Sequence, residues 1–168
     1  MASPNLQLLT DAARLLEPIL GELVFVGGCA TALLIADNAA ADVRPTFDVD
    51  AIAEITSYAA YAEFSDRLRK LGFREDASED APLCRWRHKT TTLDVMPLDE
   101  KILGFSNTWH RPAMDHAEVR EPEKCPTKPN MMRIYNRTVV GRQQAMLLIL
   151  RSAGVCHAPP YLSGGSRE

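Results

Sequence analysis

Apolar side chains recur at helical spacing from the start of the chain, with Leu8, Ala12, Leu15, Leu16 and Ile19 on one face. Residues 4–20 are therefore predicted to form an amphipathic helix. Ser3-Pro4 supplies its start signal, a capping side chain followed by proline at the first helical position. Val24–Val26 reads as a short buried strand ending at Gly27-Gly28, and CATALLIA (29–36) reads as a helix directly after the glycines. Pro45 breaks the helical pattern in the loop ADVRP. From Phe47 to Ile55 the period changes to two, the signature of a strand. Asp48, Asp50, Ile52 and Glu54 lie on one face; Val49, Ala51, Ala53 and Ile55 lie on the other. Residues 58–71 present Tyr61, Phe64, Leu68 and Leu71 at helical spacing and are stopped by Gly72. Phe73-Arg74 begins a short strand. Residues 84–88 and 91–96 read as two strands joined by a tight turn near Lys89-Thr90.

Past Leu98 the pattern weakens. Pro112, Pro122, Pro126 and Pro129 punctuate an irregular stretch, residues 139–150 fit helix and strand equally, and HAPPYLSGGSRE has the composition of a frayed end. The expected architecture is α/β (α+β), a mixed sheet flanked by helices. Residues 1–112 form its core, and 113–168 form a basic extension of the same domain.

At 168 residues, 46% apolar and 24% charged, the chain suits one soluble globular domain. No apolar run is long enough for a membrane-spanning helix, and the N-terminus lacks a secretory pattern. Cys29, Cys84, Cys125 and Cys156 form no CxxC pair, which points to reduced thiols and a cytoplasmic location. The net charge of −3 is unevenly spread. Residues 1–119 carry 11 basic and 19 acidic side chains; residues 120–168 carry 8 and 3. A basic tail beside an acidic body suits a polyanionic ligand, or is a solvated basic surface.

The chemistry concentrates around three acids. Asp48 and Asp50 project together from one strand face, and close carboxylates repel unless a cation neutralises them. Asp94 lies in a second β-like run, TTTLDVMPL. A divalent metal site explains the group; the plain alternative is solvated acids at a strand end. Gly27-Gly28 forms a strand–glycine–helix unit whose helix N–H groups and dipole favour a phosphate, or is a simple turn. It is neither a Walker loop nor a dinucleotide fingerprint. His88, His110, His116 and His157 lack ligand spacing and read as surface or structural residues. Trp86 and Trp109 read as packing residues, and Cys29 has no partner His or Asn to make it a nucleophile.

The sequence VGG…RPTFDVD followed by LDVMP resembles the nucleotidyltransferase superfamily built on the DNA polymerase β palm, most closely the AbiEii type of abortive-infection proteins. The resemblance spans roughly residues 20–112. It implies a minimal nucleotidyltransferase fold and transfer of an NMP from an NTP to a hydroxyl, with Mg²⁺ or Mn²⁺ as cofactor. On this resemblance Asp48, Asp50 and Asp94 are the metal-binding and catalytic carboxylates. Gly27, Gly28, Arg44 and Thr46 would contact the nucleotide phosphates. The implied acceptor is tRNA or another RNA, a protein or a small molecule. The implied context is a toxin–antitoxin pair with a cognate antitoxin as partner. Many members have Gly-Ser in place of Gly27-Gly28. Members also continue past a phrase like APYFLATKL into a helix with a triphosphate-binding Lys. Here HAPPYLSGGSRE matches only the start of that phrase. This supports a second reading, a non-catalytic relative that retains the fold as a binding module.

Overall fold

The structure is a computed structural model that describes residues 4–34, 45–105, 107–120 and 132–135. The first helix, α1, runs over Pro4–Leu15, shorter than the predicted 4–20, and a 3-10 helix at Glu17–Glu22 follows it. The break has a local cause. Pro18 sits at the start of the 3-10 segment, where it has no N–H to donate and its ring clashes with the preceding turn. Strand β1 (Leu23–Val26) leads straight into α2 (Gly27–Leu34), so this helix starts at the glycines themselves. Strand β2 (Val49–Ala53) is followed by α3 (Tyr58–Lys70), whose Ser57 hydroxyl accepts the Ala60 N–H at 3.1 Å as an N-cap.

Strands β3 (Arg74–Glu75), β4 (Arg85–His88) and β5 (Thr91–Pro97) come next, then two short helices, α4 (Glu100–Leu103) and α5 (His110–Asp115). Two three-residue strands, β6 (Glu118–Arg120) and β7 (Met132–Ile134), complete one mixed seven-stranded sheet in the order β3-β4-β5-β2-β1-β7-β6. The expected α/β architecture is present. Strands β6 and β7 had no legible pattern because three residues are too few to establish a period. Their placement matters: β7 lies parallel beside β1, pairing Phe25 with Ile134. The stretch after residue 112 therefore contributes strands to the same sheet, and the 112/113 boundary falls inside α5. Residues 139–150 and the HAPPYLSGGSRE end lie outside the described residues.

Alternation within the strands decides which side is core. Phe25, Val49, Ala51, Leu93, Val95 and Trp86 point toward α1 and α3 and pack with Leu9, Leu16, Phe64 and Leu68. On the opposite face a smaller cluster forms, where Val24 and Ile52 pack against Ala113 and Met114 of α5. His110 is buried on that helix, and the His88 ring stacks 5.2 Å from Phe73, so both histidines serve packing. Cys29 and Cys84 are free and buried. Among the described residues no helix is long and apolar enough to cross a membrane.

The β4–β5 turn carries a local strain. Lys89 adopts a φ of 52°, the left-handed region in which a Cβ is crowded by the backbone. Lys89→Gly is expected to raise the unfolding free energy by about 0.5–1 kcal/mol, measured by urea denaturation. An unchanged or lower midpoint would show that the turn is unstrained.

Candidate functional site

Strand register assembles the site. Val26 pairs with Asp50 across β1 and β2, Asp50 with Asp94 across β2 and β5, and Asp94 with Arg85 across β5 and β4. Directly paired residues project to the same face, so Val26, Asp50, Asp94 and Arg85 form one row across four strands. One pleat along, the equivalent row is Val24, Ile52 and Met96, which α5 and its neighbours cover. The apolar row thus carries a helix, while the charged row lies beyond it at the end of β1 where α2 begins. Asp50 and Asp94 lie side by side in this row, and Asp48 reaches Arg85 from the bend just before β2.

Arg85 binds this group together. Its Nε donates to Asp94 Oδ1 at 2.8 Å, and its terminal NH2 group donates to Asp94 Oδ2 at 2.8 Å and to Asp48 Oδ2 at 2.9 Å. Such forked, charge-assisted contacts are the strong class of side-chain hydrogen bond. The Asp94 side chain is only 6% exposed, against 23% for Arg85 and 32% for Asp48. The hydrogen bond to Asp94, followed by the charges of Asp94 and Asp48, raises the Arg85 pKa further and outweighs the opposing effect of burial. Asp48 and Asp94 are thus compensated by a cation from the chain itself, the Arg85 guanidinium. Among the described residues, no three His, Cys, Asp or Glu side chains converge on a single point as they stand.

The acids are braced from behind. The Thr46 hydroxyl donates to Asp48 Oδ1 at 2.6 Å, and the Thr46 backbone N–H donates to the buried Asn5 Oδ1 at 3.0 Å. The first turn of α1 is thereby linked through the loop at Thr46 to the carboxylate. Thr46 touches an acid of the site, and Arg44, predicted beside it, lies outside the described residues. Glu54, predicted on the same strand face, stands at the far end of β2 and pairs with Arg111 at 3.2 Å. A cavity of about 310 Å³ also lies at that far end, lined by Gly21, Ala53, Phe64 and Arg133 and containing none of the site residues.

Gly27 and Gly28 differ in what they permit. Gly27 has a φ of +73°, and a Cβ there would lie 2.3 Å from Asp50 Oδ2. Only glycine lets the Asp50 carboxylate lie against the first turn of α2, where the helix dipole favours negative charge. A Cβ on Gly28 would meet Thr46 at an ordinary 3.5 Å. Cys29 follows, buried, with its thiol donating to the Asp48 carbonyl at 3.3 Å. Burial, with the charges of Asp50 and Asp48 added, pushes its pKa up to about 12. It is a neutral packing thiol, as its lack of a base partner suggests.

The acids were singled out in the sequence by their spacing, whereas Arg85 and Asn5 were not. For Arg85 a signal existed. A two-residue turn at Lys89-Thr90 dictates the pairs 88–91, 87–92, 86–93 and 85–94, as observed. Asn5 had no such signal, because its contact joins residues 41 positions apart. No protein-family model matches the chain, and no curated protein matches its sequence.

Two outcomes test this geometry. Gly27→Ala should cost about 1–3 kcal/mol through strain and the clash with Asp50, whereas Gly28→Ala should be neutral or stabilising. Denaturant midpoints compare them directly, and equal effects would mean that Asp50 does not pack on Gly27. The raised thiol pKa gives the second. Folded Cys29 stays protonated at pH 10, where an unfolded thiol with an ordinary pKa of 9.0 is largely thiolate. Iodoacetamide at pH 10 should then leave Cys29 unmodified until denaturant is added, as peptide mass mapping would record.

Proposed function

We propose that the chain is a nucleotidyltransferase that moves an NMP from an NTP to a hydroxyl, with Asp48, Asp50 and Asp94 as its acidic centre. The observation that carries this reading is the in-register pair Asp50–Asp94, joined by Asp48, on the sheet face beside the start of α2. Three carboxylates with no sulfur or nitrogen donor among them suit a hard divalent cation such as Mg²⁺ or Mn²⁺. Such an ion, when bound, supplies charge neutralisation of a triphosphate and orientation of the attacking oxygen. The likeness of VGG…RPTFDVD and LDVMP to AbiEii-type proteins supports the same reading.

Each residue then has a task of its own. Asp94 is the most enclosed of the acids for which an ion pair is described and lies at the centre of the row, suited to accept the proton of an incoming hydroxyl. Asp50 and Asp48 hold negative charge beside it on its β2 side, opposite Arg85, and Thr46 fixes the orientation of Asp48. The first turn of α2 offers backbone N–H groups to phosphate oxygens beside the acids. RNA, including tRNA, is the acceptor class that the sequence likeness favours. A cytoplasmic toxin paired with an antitoxin is the matching biological role.

A second reading has its own support. Arg85 already satisfies Asp48 and Asp94, as it would in a relative that keeps the fold as a non-catalytic binding module. Incubation with each α-labelled NTP, total RNA and Mg²⁺ or Mn²⁺ separates the two. A labelled product that disappears in Asp50→Asn supports the transferase. No product with RNA, protein or small-molecule hydroxyls, together with no calorimetric NTP binding in Mg²⁺, would leave the binding module.

A further inference from the structure

The same three N–H groups that neutralise the acids also block them. Arg85 takes Asp48 Oδ2 and both oxygens of Asp94, and Thr46 takes Asp48 Oδ1. All four carboxylate oxygens of this pair therefore have a donor. The Arg85 terminal nitrogen, 2.8 Å from Asp94 Oδ2 and 2.9 Å from Asp48 Oδ2, holds the bridging position that a divalent cation between these acids would take, and two cations in one carboxylate pocket repel.

We propose that Arg85 is a resident counter-ion bound in competition with the divalent cation, so that metal binds Asp48 and Asp94 only when the guanidinium swings out. This deepens the transferase reading and rests on it. Arg85 is built to move without disturbing the fold. Its backbone is fixed in the hairpin opposite Asp94, yet its side chain is 23% exposed. Its strand neighbour on the same face, Arg87, is held away by Asp76 at 2.5 Å and does not share the acids. Only two-residue β3 lies beyond β4, so Arg85 stands one short strand from the sheet edge.

A guanidinium needs no recruitment and keeps the acids neutralised whenever metal is absent. Metal binding must then overcome both the lost hydrogen bonds and the displaced charge, which lowers metal affinity. A triphosphate arriving with its metal offers the freed guanidinium a new set of oxygens, so release of Arg85 and nucleotide binding favour each other. Arg85 is thus a positioning residue for the acids in one arrangement and a phosphate ligand in the other.

The test uses Mn²⁺ alone, titrated against the full chain and followed by the electron paramagnetic resonance of free Mn²⁺. Circular dichroism confirms that each variant is folded. Arg85→Gln should bind Mn²⁺ about tenfold tighter than wild type, and adding Asp94→Asn should abolish that gain. Arg85→Lys, a single point charge that cannot fork across both acids, should fall between them. A second measurement needs no variant. In the wild-type protein, saturating Mg²⁺ should shift the Arg85 Nε–H resonance and speed its exchange with water. Equal Mn²⁺ affinity in wild type and Arg85→Gln, or an Arg85 resonance unmoved by Mg²⁺ while Asp94→Asn still loses Mn²⁺, overturns the competition and leaves the metal reading in place. No Mn²⁺ retained by wild type or by Arg85→Gln overturns both, and the four residues are then a structural ion cluster.

Discussion

Carboxylates aligned on one sheet face must be neutralised, and the way this sheet does so organises the rest of the site. Asp94 sits between Asp50 on one neighbouring strand and Arg85 on the other, with Asp48 completing the charge. A nearly buried acid with no compensation would be costly; with a forked guanidinium it becomes an anchor. The hairpin that brings Arg85 opposite Asp94 is therefore part of the site, although it contributes no acid itself.

The scaffold around the row follows from packing. One face of the sheet is spent on the main core with α1 and α3, and α5 covers the apolar part of the other. The charged row lies past that cover, at the end of β1 where a helix starts. At that edge a glycine with positive φ lets backbone and carboxylate touch, and the Asn5–Thr46–Asp48 hydrogen bonds tie the acid to the first turn of α1. Helix, loop and strand are thus locked to a common point. On the proposed transferase reading, a substrate would meet acids whose positions are set before it arrives, the condition under which electrostatic catalysis is effective.

If a divalent cation competes with Arg85 as proposed, the site has two arrangements: in both Asp48 and Asp94 are neutralised, by a charge from the chain in one and by a charge from solution in the other. On that proposal a transferase must be able to exchange them, and a binding module need not. Small changes in side-chain length or hydration at Arg85 would shift that balance without altering the fold.

The local elements around the acids were legible because each rests on short-range rules. Period-two alternation located β2, the glycine pair marked where β1 gives way to α2, and the turn at Lys89-Thr90 specified the β4–β5 hairpin. The same hairpin arithmetic already contained the Arg85–Asp94 pair. Tertiary structure decided what depends on distant partners. The parallel pairing of β2 with β5 sets Asp50 beside Asp94, and insertion of β7 beside β1 draws the chain after residue 112 into the sheet. Asn5 came to brace Thr46 only because α1 packs where it does. Periodicity and turn chemistry act over a few residues and are written along the chain. Register between remote strands depends on how the whole core closes, and that closure set which charges face one another.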